Sequence, residues 1–137
     1  MTAAVIHGWQ EYHRVYEKFA QDLDLTDLTE TQYVTTGKHS SEILESLYRL
    51  RDRNIEIRGS QQFRDVQVGP LKTSASGVRQ TTVSYCADTS ALRRVAATTG
   101  ADLALNVPKT FKEQALMEEG ADGTWRVAQV RNQEASC

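Results

Sequence analysis

The stretch SSEILESLYRLRDRNIEIRG, Ser40 to Gly59, changes its apolar period midway along. Ile43, Leu44, Leu47 and Leu50, with Tyr48 beside them, recur at helical spacing and form one apolar face. Ser40 or Ser41 is placed to cap the first turn of that helix. At Asn54 helical spacing stops. Ile55 and Ile57 then alternate with Glu56 and Arg58, which is the period of a half-buried strand.

The same change divides the whole chain. Toward the N-terminus, Val5, Trp9, Tyr12, Tyr16 and Phe19 share one helical face, while Glu11, Arg14, Glu17 and Lys18 fall mainly on the other side. Thr2 is a candidate N-cap. The intervening DLDLTDLTETQYVTTG, Asp22 to Gly37, reads as a loop with one short helix near Leu28–Val34 that ends at Gly37. Toward the C-terminus, FRDVQV alternates and stops at Gly69-Pro70, and VRQTTVSYCA is rich in β-branched residues. LRRVAATTG is a weaker strand, and TFKEQALMEE puts Phe111, Ala115 and Met117 on one face. Asp122-Gly123 is a hairpin signal ahead of TWRVAQV.

Helices followed by a run of strands is the α+β pattern, here with about four to six antiparallel strands covered by the amphipathic helices. One domain is expected over 1–137, with a helical segment over 2–54, a sheet segment over 55–131 and a C-terminal tail over 132–137.

Bulk composition narrows the function. Net charge is −2, with 39% apolar and 25% charged residues, so no overall field favours nucleic acid or an anionic membrane. The basic cluster RLRDR, Arg49 to Arg53, is interrupted by Asp52 and reads as the solvated face of a helix. No segment reaches the roughly 18 apolar residues of a membrane span. MTAAVIHGWQEYHRV lacks the basic start and long apolar run of a secretory signal.

Two cysteines are present, Cys86 in a strand-like segment and Cys137 at the last position. A terminal cysteine has no packing role of its own, because chain ends fray. A Cys86–Cys137 disulfide would pin that end, and on chain-entropy grounds a loop of this size is worth roughly 4 kcal/mol. The disulfide implies an oxidising compartment. The alternative is an accidental exposed thiol.

Signatures of common chemistry are missing. The chain holds no GxGxxG, no GxxxxGK[ST], no GxSxG and no HExxH. No metal site and no cofactor are expected. His7 and His13 flank the apolar stripe of the first helix, and His39 precedes the second, where it helps a turn. The aromatic residues Trp9, Tyr12, Tyr16, Tyr85, Phe111 and Trp125 fall on inward faces. They are core residues first, but buried tyrosines need hydroxyl partners, so they are also candidates to line a cavity for a small apolar ligand with one polar group. Asp88 is a candidate acid at the rim of such a cavity, and also an ordinary turn residue in ADTS.

VSYCADTS, the TTG turn and the closing DGTWRVAQV, taken with the long first helix, resemble the nuclear transport factor 2-like superfamily. More narrowly, Cys86, Asp88, Gly100, Gly123, Trp125, Val127 and Cys137 are similar to features of small extracytoplasmic proteins and lipoproteins of Gram-positive bacteria. The resemblance implies a cone-shaped, cystatin-like α+β fold whose sheet wraps the helices and whose open end is a pocket. Some members are enzymes, such as ketosteroid isomerase and polyketide cyclases, with a buried acid or base set against a Tyr or a second acid. No residue set here matches that constellation position by position.

Three functions are therefore weighed. The first is a non-catalytic extracytoplasmic domain that binds a small apolar ligand or a protein partner, including a second copy through the sheet. The second is a proton-transfer isomerase, cyclase or dehydratase with Asp88 and Glu113 as acids and Tyr16 or Tyr85 as donor. The third is a structural component of a secretion or conjugation apparatus.

Overall fold

The computed structural model describes residues 1–133 and 135–137. Helix α1 spans Thr2–Gln21 and α2 spans Lys38–Asp52, with a short 3₁₀ turn at Thr29–Tyr33 between them. The strands follow: β1 (Ile55–Arg58), β2 (Gln62–Val68), β3 (Lys72–Thr73), β4 (Arg79–Asp88), β5 (Arg93–Ala96), β6 (Asp102–Leu103), β7 (Thr110–Glu119) and β8 (Trp125–Gln133). A three-stranded sheet runs β1-β5-β6, and a five-stranded sheet runs β2-β4-β7-β8 with β3 also on β4. These named strands pair antiparallel throughout. The fold class is α+β, as the change of period at Asn54 indicates. Asn54 itself has φ 54°, a left-handed conformation that asparagine tolerates, and it turns the end of α2 into β1.

Details differ from the sequence reading. Strands β3 and β6 have two residues each, too short to leave a period in the sequence, which raises the strand count above the expected range. Strand β8 continues to Gln133, past residue 131. Thr2 is the first helical residue, with Met1 at the N-cap position. Helix α2 begins at Lys38 after Gly37, whose φ of 62° makes the entry turn, so neither Ser40 nor Ser41 caps it. Arg51 does not lie on a solvated face. Its guanidinium donates to the carbonyls of Phe19, Asp22, Leu25 and Leu47, tying the end of α1 and the following loop to α2. Carbonyls at a helix end lack intrahelical partners, and a guanidinium satisfies several at once.

Two apolar clusters hold the layers together. Val5, Trp9 and Tyr12 of α1 and Ile43 of α2 pack on Val83, Tyr85 and Ala87 of β4, Ala115 and Met117 of β7, and Trp125 and Val127 of β8. Val15, Phe19, Ala20, Leu28 and Leu47 form the second cluster, between the helices and the loop after α1. In β4 and β7 the odd-numbered residues face inward toward the helices and the even-numbered ones face outward, following the pleat.

Gly8 fixes how closely α1 approaches β8. It is buried, and a Cβ at this position would overlap the carbonyl oxygen of Trp125. Glycine costs helix stability, so its presence mid-helix reflects this contact. Gly8→Ala is expected to destabilise the protein by about 1–3 kcal/mol, the usual penalty for overpacking, despite alanine's better helix propensity. Urea unfolding checks this, and a stabilised variant would mean that α1 does not pack on β8 as described.

Candidate functional site

The inner face carries an aromatic cluster. Trp9 lies 4.8 Å from Tyr85 and 5.1 Å from Phe63 between ring centroids, and His13 lies 4.3 Å from Phe63. Phe63 comes from β2, Tyr85 from the centre of β4, and Trp9 and His13 from one face of α1. Tyr85 and Glu113 are direct cross-strand neighbours, and the Tyr85 hydroxyl donates to Glu113 Oε1 at 2.5 Å. Burial pushes the pKa of the Glu113 carboxyl up, against the opposing effect of the Tyr85 hydrogen bond. Burial also raises the Tyr85 and Tyr12 hydroxyls. Tyr12 Oη pairs with His39 Nε2 at 2.9 Å, so His39 is a buried core partner and not a turn residue.

Two buried polar atoms have no hydrogen-bond partner among the described residues, Trp9 Nε1 and His13 Nε2. The Trp9 N–H lies near enough to the Tyr85 hydroxyl to favour its ionised form slightly, without forming a hydrogen bond. His13 as a residue is partly exposed, but its Nε2 is not, and desolvation pushes the imidazole pKa down to about 3. The ring is therefore neutral at physiological pH. The apolar stripe of α1 by itself puts His13 at its edge. The signal that places it inward was available: it stands four residues after Trp9 and three before Tyr16.

The expected pocket residues do not line a common cavity. Trp9, Tyr12 and Tyr85 are packed into the cluster. Tyr16 borders a hollow of about 50 Å³ with His13, Ile57, Phe63 and Leu92, and its hydroxyl pairs with Ser46 Oγ at 3.2 Å. Phe111 packs on the cluster half-buried. Trp125 sits over Gly8, with the Arg79 guanidinium 5.9 Å from its ring. The two candidate acids are on opposite faces of the sheet. Asp88 Oδ1 accepts from the backbone N–H and hydroxyl of Ser90, and Oδ2 accepts from Arg64 at 3.1 Å. The Ser90 hydrogen bonds, then Arg64, hold its pKa below the usual carboxylate range, so it is a charged turn residue. Glu113 alone reaches the interior.

The outer face is crossed by the C-terminal tail. Cys86 is bonded to Cys137, with Cα atoms 5.9 Å apart. After β8 the tail runs back over a cross-strand row formed by Gln133, Lys112, Cys86 and Arg64. The Lys112 N–H donates to the Ala135 carbonyl at 3.0 Å, and Arg64 Nη2 donates to the Cys137 carbonyl at 3.1 Å. Beside the tail is a groove of about 340 Å³ lined by residues that include Gln67, Ser84, Lys112 and Gln114, with Tyr85 and Glu113 also bordering it. A second hollow of about 220 Å³ adjoins it at Gln114, with Thr82, Leu116, Gln129 and Arg131. Asp65, at φ 56°, stands where the β2–β4 register shifts, which marks a bulge at the groove's edge.

Among the described residues no three His, Cys, Asp or Glu side chains converge as metal ligands. No helix among them is long and apolar enough to cross a membrane. No protein-family model matches this chain, and no curated protein matches it in sequence. Solved structures do resemble it. The intermembrane space region of the chloroplast protein ARC6 superposes with a TM-score of 0.53 at 8% identity, over 94% of this chain and 93% of that one. A ketosteroid isomerase-like protein from Erwinia carotovora atroseptica SCRI1043 gives 0.54 at 13% identity, over 93% and 91%. At these identities the likeness is one of architecture, and it gives this chain the nuclear transport factor 2-like fold, an α+β cone of helices against an antiparallel sheet.

Proposed function

We propose that this chain is a non-catalytic binding or assembly domain of an oxidising, extracytoplasmic compartment, and that it works through the outer face of its sheet. The carrying observation is the small size of the hollow that Tyr16, His13 and Phe63 border. A hollow of about 50 Å³ admits a few waters, whereas sites for small organic ligands are typically about 300–1,000 Å³. The outer face has the space the interior lacks. Its side chains Thr82, Ser84, Gln114 and Leu116 are half-buried, and Gln114 lines both hollows. The Cys86–Cys137 disulfide supports the compartment, because such bonds persist where thiols are not kept reduced.

The first occupant to test is a second copy. Light scattering over a concentration series is expected to show association that Leu116→Arg weakens at least about tenfold, which corresponds to about 1.4 kcal/mol. A chain that stays monomeric at every concentration counts against self-assembly through this face.

One observation favours a proton-transfer enzyme instead. Glu113 is a buried carboxyl hydrogen-bonded to Tyr85, within the same aromatic cluster as a neutral His13. A β,γ-unsaturated ketone is a suitable trial substrate. Turnover that disappears in Glu113→Gln and Tyr85→Phe would favour this reading over the first.

Glu113 also gives a pH prediction that is independent of function. Its folded-state pKa is raised, so its stabilising contribution is complete below the ordinary carboxyl pKa. That contribution is lost as pH rises through the raised value, because the unfolded chain then releases its proton more readily. Glu113→Gln removes this loss while keeping an acceptor for Tyr85. Relative to the native protein, the variant is expected to be more stable at about pH 8 than at about pH 4 in urea unfolding. Equal effects at both pH values would mean that the carboxyl is not desolvated.

A further inference from the structure

The two sulfurs of the disulfide stand in different surroundings. Cys86 is 2% exposed within β4, whereas Cys137 is exposed at the chain end. Directly across from Cys86 stand Arg64 on β2 and Lys112 on β7. Residues directly opposite in antiparallel strands share a face, with Cβ atoms about 4.5–5.5 Å apart. Cys86 is therefore flanked on both sides by a cation. Arg64 is held in place by Asp88 Oδ2 and the Cys137 carbonyl, both at 3.1 Å, and Asp88 offsets some of its charge.

Thiol–disulfide exchange is fast when one sulfur is open to attack and the other leaves as a stabilised thiolate. Cations beside a cysteine stabilise the thiolate. Here the exposed residue is Cys137, and the residue between cations is the buried Cys86. The apolar core lies on the opposite face of β4, so opening the bond leaves its packing untouched. Among the described residues, hydrogen bonds from Lys112 and Arg64 also hold the tail to the sheet.

We propose that Cys86–Cys137 is a thiol-exchange site, attacked at Cys137 by an external dithiol, with the Cys86 thiolate as leaving group. One thiolate of the dithiol bonds to Cys137 Sγ. The Cys86–Cys137 bond breaks, and its electron pair passes to Cys86 Sγ, which takes up a proton. The second thiol of the dithiol then displaces Cys137. The dithiol ends as a disulfide, oxidised by two electrons, and the chain ends with two thiols. Release of the tail uncovers the row from Gln133 to Arg64 and the groove beside it.

The test uses the full chain in native buffer with dithiothreitol, quenched by alkylation and read by mass. Two alkyl groups are expected to appear while the near-ultraviolet circular dichroism stays native. Arg64→Gln and Lys112→Gln are each expected to slow the opening roughly three- to tenfold, and Lys112→Arg to restore it. On the unmodified chain, glutathione trapped at early times is expected on Cys137. Opening only in denaturant, rates unchanged by both glutamine variants, or glutathione on Cys86 would each overturn the proposal.

Discussion

Trp9 seated against Phe63 and Tyr85 closes the space that a cone-shaped fold otherwise leaves open. Trp9 meets Phe63 edge to face and Tyr85 at a tilt, so the rings contribute area and geometry together. The rest of the interior follows from that contact. Glu113 is buried beside the Tyr85 hydroxyl, and that burial raises the pKa of its carboxyl. His13 is pressed on Phe63 and stays neutral. The close approach of α1 that seats the cluster depends in turn on Gly8.

A filled interior moves the question of function to the outer face. That face carries half-buried polar side chains, two adjoining hollows and the disulfide-bound tail. The tail joins the end of β8 back to β4 across β7, so one covalent bond closes three strands at their outer surface. On chain-entropy grounds a loop with a sequence separation of 51 is worth roughly 4 kcal/mol. Stability therefore has two sources, the aromatic cluster inside and the disulfide-bound tail outside, and the proposed binding and exchange chemistry lies with the second.

Much of this was legible in the sequence, and the exceptions have physical reasons. The change of period at Asn54 marks the boundary between helices and sheet, and the spacing of Trp9 and Tyr12 marks the buried face of α1. Glu113 shares parity with Ala115 and Met117, so its inward direction was readable, but its pairing with Tyr85 was not. Cross-strand register depends on turns and bulges that lie outside any single strand. Phe63 belongs to the same class: its contact with His13 joins residues far apart in the chain. Arg51 was misread because a charged helix residue is usually solvated, and only the folded loop shows which carbonyls need a donor. The aromatic residues were rightly placed inward, but whether they enclose a cavity or fill one depends on packing distances that spacing does not encode.

The most direct test of a filled, water-excluding interior is the side-chain nitrogen resonance of His13 followed by NMR as pH is lowered. With the interior filled, the imidazole stays neutral throughout the range in which the protein stays folded, since desolvation holds its pKa down at about 3. Titration near the ordinary histidine value, about 6.5, would show that water reaches Nε2. The cone would then be open, and the case for a function on its outer face would fail with it.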